Sequence, residues 1–139
     1  MTLTLIFTLG DANYGLEIDA IQEIIEDPPL HYVPQASGSL TGAINFHGQV
    51  LAVIDLPGLL GFSGEERDHR QLVLTPRCKS LVLTVSTIQK IVQLDLATLQ
   101  PPPANSESGA VRGVVRLDEM EINLLDTNEV INRLSNQST

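Results

Sequence analysis

Short apolar runs, several alternating with polar residues, are separated along the chain by Gly, Pro, Asn and Asp. Alternation with period two over a few residues, bounded by turn formers, predicts strands. Thr2–Leu9 reads as a strand, "GDAN" as a turn and Tyr14–Ile18 as its return. Ala20–Ile25 has an ambiguous period and either extends a strand or makes one helical turn. Pro28, Pro29 and Pro34 hold residues 28–36 extended and break any ladder there, and Ser37–Thr41 predicts a turn or helical corner. The runs Ala43–Phe46 and Val50–Ile54 form a hairpin, with turn chemistry supplied by Asn45 to Gly48. "DLPGLLGF" predicts a loosely wound corner, and the polar stretch "SGEERDHR", residues 63–70, a solvated loop. Leu72–Thr75, Ser80–Ser86 and Ile88–Leu94 follow as strands. "QPPPANSESG" reads as an exposed connection. Val111–Leu117 and Met120–Leu125 make a last hairpin across "DE", before a C-terminal helix over Thr127–Leu134 capped by Asp126 or Thr127.

The reading is an all-β chain of nine or ten strands, which closes into barrels or a sandwich to hide its edges. Its 139 residues suit one domain, 1–139, or two small lobes packed together. No internal repeat is evident.

Trp is absent and aromatics are few, so Leu, Ile and Val must build the core. Cys78 is the only cysteine, which excludes an internal disulfide and suits a reducing compartment. Charge is more informative. Residues 1–66 hold nine acids and no Lys or Arg, whereas 67–139 hold eight of each, so the net charge of −9 resides in the first half. An acidic surface makes nucleic acid and anionic lipid poor partners. It serves either solubility or steering toward a basic partner. "MTLTLIFTLG" has no positive n-region and too short an apolar run for a signal peptide or a span. The expected location is the cytoplasm.

Chemistry is hard to find. His31, His47 and His69 share no metal-ligand spacing. Cys78, between Arg77 and Lys79 in a predicted turn, reads as an incidental thiol. "GFSG" lacks the length and context of a nucleophile elbow, and there is no phosphate loop or dinucleotide fingerprint. The expectation is a non-enzyme with no catalytic residues, no metal and no cofactor.

In order, "LGDANYGLEIDAIQEI", "VPQASGSLTGAINFHGQVLAVIDL", "LVLTVSTIQKIVQLDLATLQPPP" and "VRGVVRLDEMEINLLDTNEVI" resemble the CheW-like adaptor domain of bacterial chemotaxis over residues 3–134. The resemblance implies two five-stranded β-barrels like Src-homology-3 domains, packed side by side, with a short C-terminal helix. It also implies a non-enzymatic scaffold that couples chemoreceptors to a CheA-type histidine kinase. Such a scaffold pairs with the kinase's CheW-like regulatory domain and cradles the receptor's cytoplasmic tip. With no room for a kinase or receiver part, a free-standing adaptor is expected.

Partner-binding candidates carried over from the resemblance are Ile21 and Glu23, which match its Val-x-Glu-Ile element, and Asn45, Phe46, His47 and Gly48 of its Gly-x-x-Asn-x-Arg-Gly hairpin. Each also has a plainer reading. Ile21 and Phe46 suit a core, Glu23 is a solvated acid, Asn45 caps the turn, and Gly42 and Gly48 serve backbone geometry. Two departures stand out: His47 replaces the family's Arg, and Ser86 an acid. If the Arg and the acid were charge partners, their joint loss is one compensated change. The competing reading is a divergent regulatory or small-ligand-binding β-barrel module that no longer couples receptor to kinase. A hydrolase using Cys78 or a Ser with one of the histidines is the third.

Overall fold

The computed structural model describes residues 1–32, 38–76, 80–102 and 110–137. Its ten strands are β1 (Thr2–Leu9), β2 (Ala12–Glu17), β3 (Ile21–Glu26), β4 (Leu40–Phe46), β5 (Gln49–Asp55), β6 (Arg70–Leu74), β7 (Leu81–Thr84), β8 (Thr87–Leu94), β9 (Val111–Leu117) and β10 (Met120–Leu125). A single turn of helix, α1 (Leu56–Leu59), follows β5, and α2 (Thr127–Gln137) follows β10. The ambiguous stretch after β2 divides into a 3-10 turn at Ile18–Ala20 and the strand β3. The predicted corner at 37–41 is a turn at Gly38–Ser39, after which Leu40 and Thr41 already belong to β4; Ser37, like Cys78 and most of "PPPANSESG", lies outside the described residues.

The strands form two five-stranded sheets, β8-β1-β2-β10-β9 and β3-β6-β7-β5-β4. Residues 21–84 thus build one barrel from contiguous chain, while both ends of the chain build the other. The two sheets share one topology. β3 pairs antiparallel with β6 as β8 does with β1. β5 lies parallel to β7 as β10 does to β2. Each hairpin, β4-β5 or β9-β10, ends in an aspartate, Asp55 or Asp126, that opens a helix. The repeat is therefore real but circularly permuted.

Each barrel closes where its two edge strands meet through the segment between them. His31 bridges Ala43 in β4, and Gln100 bridges Val114 in β9. Both closures need a glycine. A Cβ on Gly42 would stand 2.6 Å from the His31 carbonyl oxygen, and one on Gly113 2.5 Å from that of Gln100. Gly42 and Asp55 are separated by the same length of chain as Gly113 and Asp126.

Alternating side chains sort into three clusters. Ile44, Phe46, Leu51, Val53, Val73 and Val82 fill the barrel of β3–β7; Ile6, Leu94, Val115 and Ile122 fill the other. The largest cluster takes the opposite faces of both sheets, including Leu5, Phe7 and Leu16 from one and Leu72, Leu74 and Leu83 from the other. Sharing one core, the two barrels are held as a unit. Leu56, Leu59 and Leu60, from the predicted corner "DLPGLLGF", lie in this shared core with Val130 of α2.

Candidate docking surface

The β4-β5 connection is a two-residue loop, since Phe46 pairs with Gln49. Its backbone is left-handed at both central positions, φ 49° at His47 and 84° at Gly48, which suits the right-handed twist of the strands. Asn45 stays in β4 and caps the loop, its Oδ1 accepting from the Gly48 N–H at 3.0 Å. Positive φ thus falls on His47 rather than on Asn45. The tip turns its residues to different tasks. Phe46 is buried inside the barrel. The His47 ring stands edge-on to it at a centroid distance of 4.3 Å and is 71% exposed.

Glu23 lies across from the tip. Although β3 and β4 are opposite edges of their sheet, barrel closure brings Glu23 Oε1 to 3.7 Å from His47 Nε2, an ion pair whenever the imidazole is protonated. Ile21 is half-buried and packs against the shared core. The structure therefore gathers Glu23, His47, Asn45 and Gly48 at one rim, with Phe46 in the barrel core next to the His47 ring, whereas Ile21 packs toward the shared core. A second such pair lies at the other end of β3, Glu26 Oε1 at 3.4 Å from His69 Nε2.

Ser86 is elsewhere. It is buried; its N–H donates to Thr8 O, and its Oγ accepts from the Gly10 N–H at 2.9 Å. Thr84 pairs with Asp55, at the end of β5 farthest from His47. The length of β5, about 20 Å at ~3.3 Å per residue, separates the two positions. His47 and Ser86 are not a compensated pair. An open crevice beside Ser86 is lined by Gly10, Asp11, Phe62, Glu65 and Glu66.

Residues 63–70 are not simply a solvated loop. Arg67 donates from Nε and Nη2 to the two Asp55 carboxylate oxygens at 2.6 and 3.1 Å, so Asp55 leaves α1 without a side-chain cap. Asp68 has its side chain 95% covered (5% exposed). Its carboxylate accepts from Arg70 Nε and Nη2, from the Arg70 N–H and from the Ile88 N–H. Burial pushes its pKa up, but these hydrogen bonds outweigh burial and hold it at about 2. The alternation of acids and bases in "GEERDHR" was the one available hint of this clamp.

Exposed apolar side chains flank the seam between barrels. Ile24 in β3 is 38% exposed and Ile91 in β8 53%; Leu3 in β1 is exposed too. Ile24 pairs with Leu72 and Ile91 with Leu5, and both partners belong to the shared core. Ile24 and Ile91 are thus equivalent positions of the repeat, one on each side of the seam. Sequence reasoning missed both. Among the described residues no cluster of His, Cys, Asp and Glu is arranged to hold a metal ion, and no helix is long and apolar enough to cross a membrane.

A family model described as the CheW-like domain matches residues 3–135. The chain is 29% identical over 129 residues to a chemotaxis protein CheW of Rhizobium meliloti, covering 89% of this chain and 83% of that one. It is 25% identical over 136 residues to the chemotaxis protein CheW of Thermotoga maritima, covering 93% and 87%. In three dimensions it is similar to the crystal structure of the scaffolding protein TtCheW from Thermoanaerobacter tengcongensis. There the TM-score is 0.80 and the identity 22%, covering 89% of this chain and 88% of that one.

Proposed function

The chain belongs to the CheW-like domain family, and from that premise we propose that it is a cytoplasmic, non-enzymatic adaptor that couples chemoreceptors to a CheA-type histidine kinase. The observation that carries this reading is the pairing of one rigid shared core with apolar side chains left in solvent on both sides of the barrel seam. An adaptor acts by geometry: two partners are held in fixed relation only if the body between them does not flex. Ile24 and Ile91 offer apolar anchors to the helices of a receptor tip, the helix-in-groove mode of recognition. Glu23 and His47 touch the partner at the adjoining rim, Asn45 and Gly48 hold the tip in shape, and Phe46 anchors it in the barrel core, whereas Ile21 packs toward the shared core.

The kinase's regulatory domain, itself CheW-like, is the second partner and pairs barrel to barrel. Charge narrows the partner at the rim. Glu23, Glu26 and Asp27 are exposed on and just after β3, while Arg67 and Arg70 are engaged by Asp55 and Asp68. The surface that docks here is basic.

Calorimetry tests this with the purified chain, the regulatory domain and the receptor tip from the same organism. Micromolar binding to each, and simultaneous binding of both, is the expected result. Binding of neither by a folded chain overturns the reading. Binding that does not weaken with added salt removes the basic partner.

A further inference from the structure

Two stretches of chain cross from one barrel to the other, from β2 to β3 and from β7 to β8, and they are fastened differently. Ile21 pairs with Leu74 just after the first crossing, as Ile88 pairs with Phe7 just after the second, so the two isoleucines are equivalent. The Ile21 N–H donates to the Ile18 carbonyl within its own 3-10 turn. The Ile88 N–H instead donates at 2.7 Å to the Asp68 carboxylate, which arrives from the other barrel.

Asp68 stands two residues before β6, and its side chain is 5% exposed. Its N–H donates to the Val85 carbonyl at 3.0 Å, within the second crossing. Its two oxygens hold Arg70, the first residue of β6, at 3.0 and 3.1 Å. Arg70 Nη2 donates in turn to the Ile88 carbonyl at 3.3 Å. Thr87 Oγ1 adds a bond to Glu66 Oε1 at 2.6 Å, and Arg67 fastens the same segment to Asp55. In the other barrel Leu3 takes the place of Arg70, pairing with Gln93 as Arg70 pairs with Glu26. The guanidinium fork therefore belongs to one end of the seam.

The strands tied here carry the exposed anchors or pair with them. Ile24 of β3 pairs with Leu72, two residues beyond Arg70 in β6, and Ile91 lies three residues beyond Ile88 in β8. Apolar burial holds the barrels together without direction, whereas hydrogen bonds to a planar carboxylate and a guanidinium fix both distance and angle. We propose that Asp68 is a positioning residue for docking: through Arg70 and Ile88 it locks β6 to β8, and so presets the spacing of Ile24 and Ile91 that the receptor tip requires. This rests on the adaptor reading above. A tip that meets both anchors already at their bound spacing pays less to order them.

The experiment is titration of the receptor tip against wild type, Asp68→Asn, Arg70→Lys and Ile122→Val, under conditions where each full chain is folded. The same chains, carrying Cys78→Ser, receive spin labels through Gln22→Cys and Gln89→Cys, at exposed positions on β3 and β8, and the distance between the labels is measured. Asp68→Asn is expected to lose about fivefold in affinity and to broaden the distance. Arg70→Lys keeps the net charge but not the fork. It should shift both readouts the same way by less, and it carries the test if Asp68→Asn does not fold. Ile122→Val trims a side chain inside the other barrel, lowering stability away from the clamp, and should match wild type in both. Unchanged affinity or an unbroadened distance in the folded clamp variants, or an equal loss in Ile122→Val, overturns the inference and leaves the adaptor reading standing. Absence of tip binding by folded wild type overturns both.

Discussion

Gly42 and Gly113 do the same work in two barrels. Each lies under the carbonyl of the segment that closes its barrel, where a methyl group would come within 2.6 Å of the oxygen of His31 or 2.5 Å of that of Gln100. Backbone cannot yield as a flexible side chain can. Gly42→Ala and Gly113→Ala should each destabilise the fold by roughly 2–4 kcal/mol, as steric overlap in closed packing does. Urea unfolding of the two variants is the check; a loss below about 0.5 kcal/mol, within the range of ordinary surface changes, is inconsistent with this account of closure.

Asp68 makes stability sensitive to acid. Its carboxyl titrates at about 2 in the folded chain, against an ordinary value of 3.8. The folded state thus favours the charged form, and this contribution is complete above pH 4. It fades as pH falls from about 4 toward 2, because the unfolded chain takes up the proton first. The amount is on the order of 1–2 kcal/mol. Asp68→Asn should lose stability at pH 7 and show a flatter dependence between pH 4 and 2. Denaturant melts at those pH values measure both.

Asn45 supports the tip without needing a partner. Asn45→Ala removes the hydrogen bond to the Gly48 N–H and should cost about 0.5–1.5 kcal/mol. Gly48→Ala has open space around the new methyl but forces Ala to φ 84°, and its cost should be about 1 kcal/mol. Both are read from thermal or urea melts.

Ile24 and Ile91 should matter for docking and not for folding. Ile24→Lys and Ile91→Lys place charge on side chains already in solvent, so melting should change little. Binding of the receptor tip should weaken at least about tenfold for either, the loss of one apolar anchor. Unaltered affinity for both variants would move the receptor site off the seam.

Much of the architecture was legible in the chain. The hairpin flanking His47-Gly48, the last hairpin and the Asp126 cap, which accepts from the N–H groups of Asn128 and Glu129, follow from alternation and turn chemistry, which are local. Asp68 was not legible. The stretch around it is polar, and its burial depends on the Ile88 N–H, supplied by a strand distant in sequence. The repeat escaped notice for a related reason. What recurs is backbone geometry, marked by Gly42 with Asp55 and Gly113 with Asp126, while the side chains between them diverge. At the site, the proximity of Glu23 to His47 depends on closure between opposite edges of a sheet, and alternation along a strand carries no record of closure.

The permuted order of the barrels also bears on how the chain acquires its shape. The barrel of β3–β7 needs only contiguous sequence, so it can close while the chain is still being made. The other cannot: β1 waits for β8, and β2 for β10. Pairings of such long sequence separation form slowly. Until they do, the apolar faces of the first hairpin have only the finished middle barrel to rest against. A middle barrel that closes first would present Leu72, Leu74 and Leu83 as the surface on which the later strands dock.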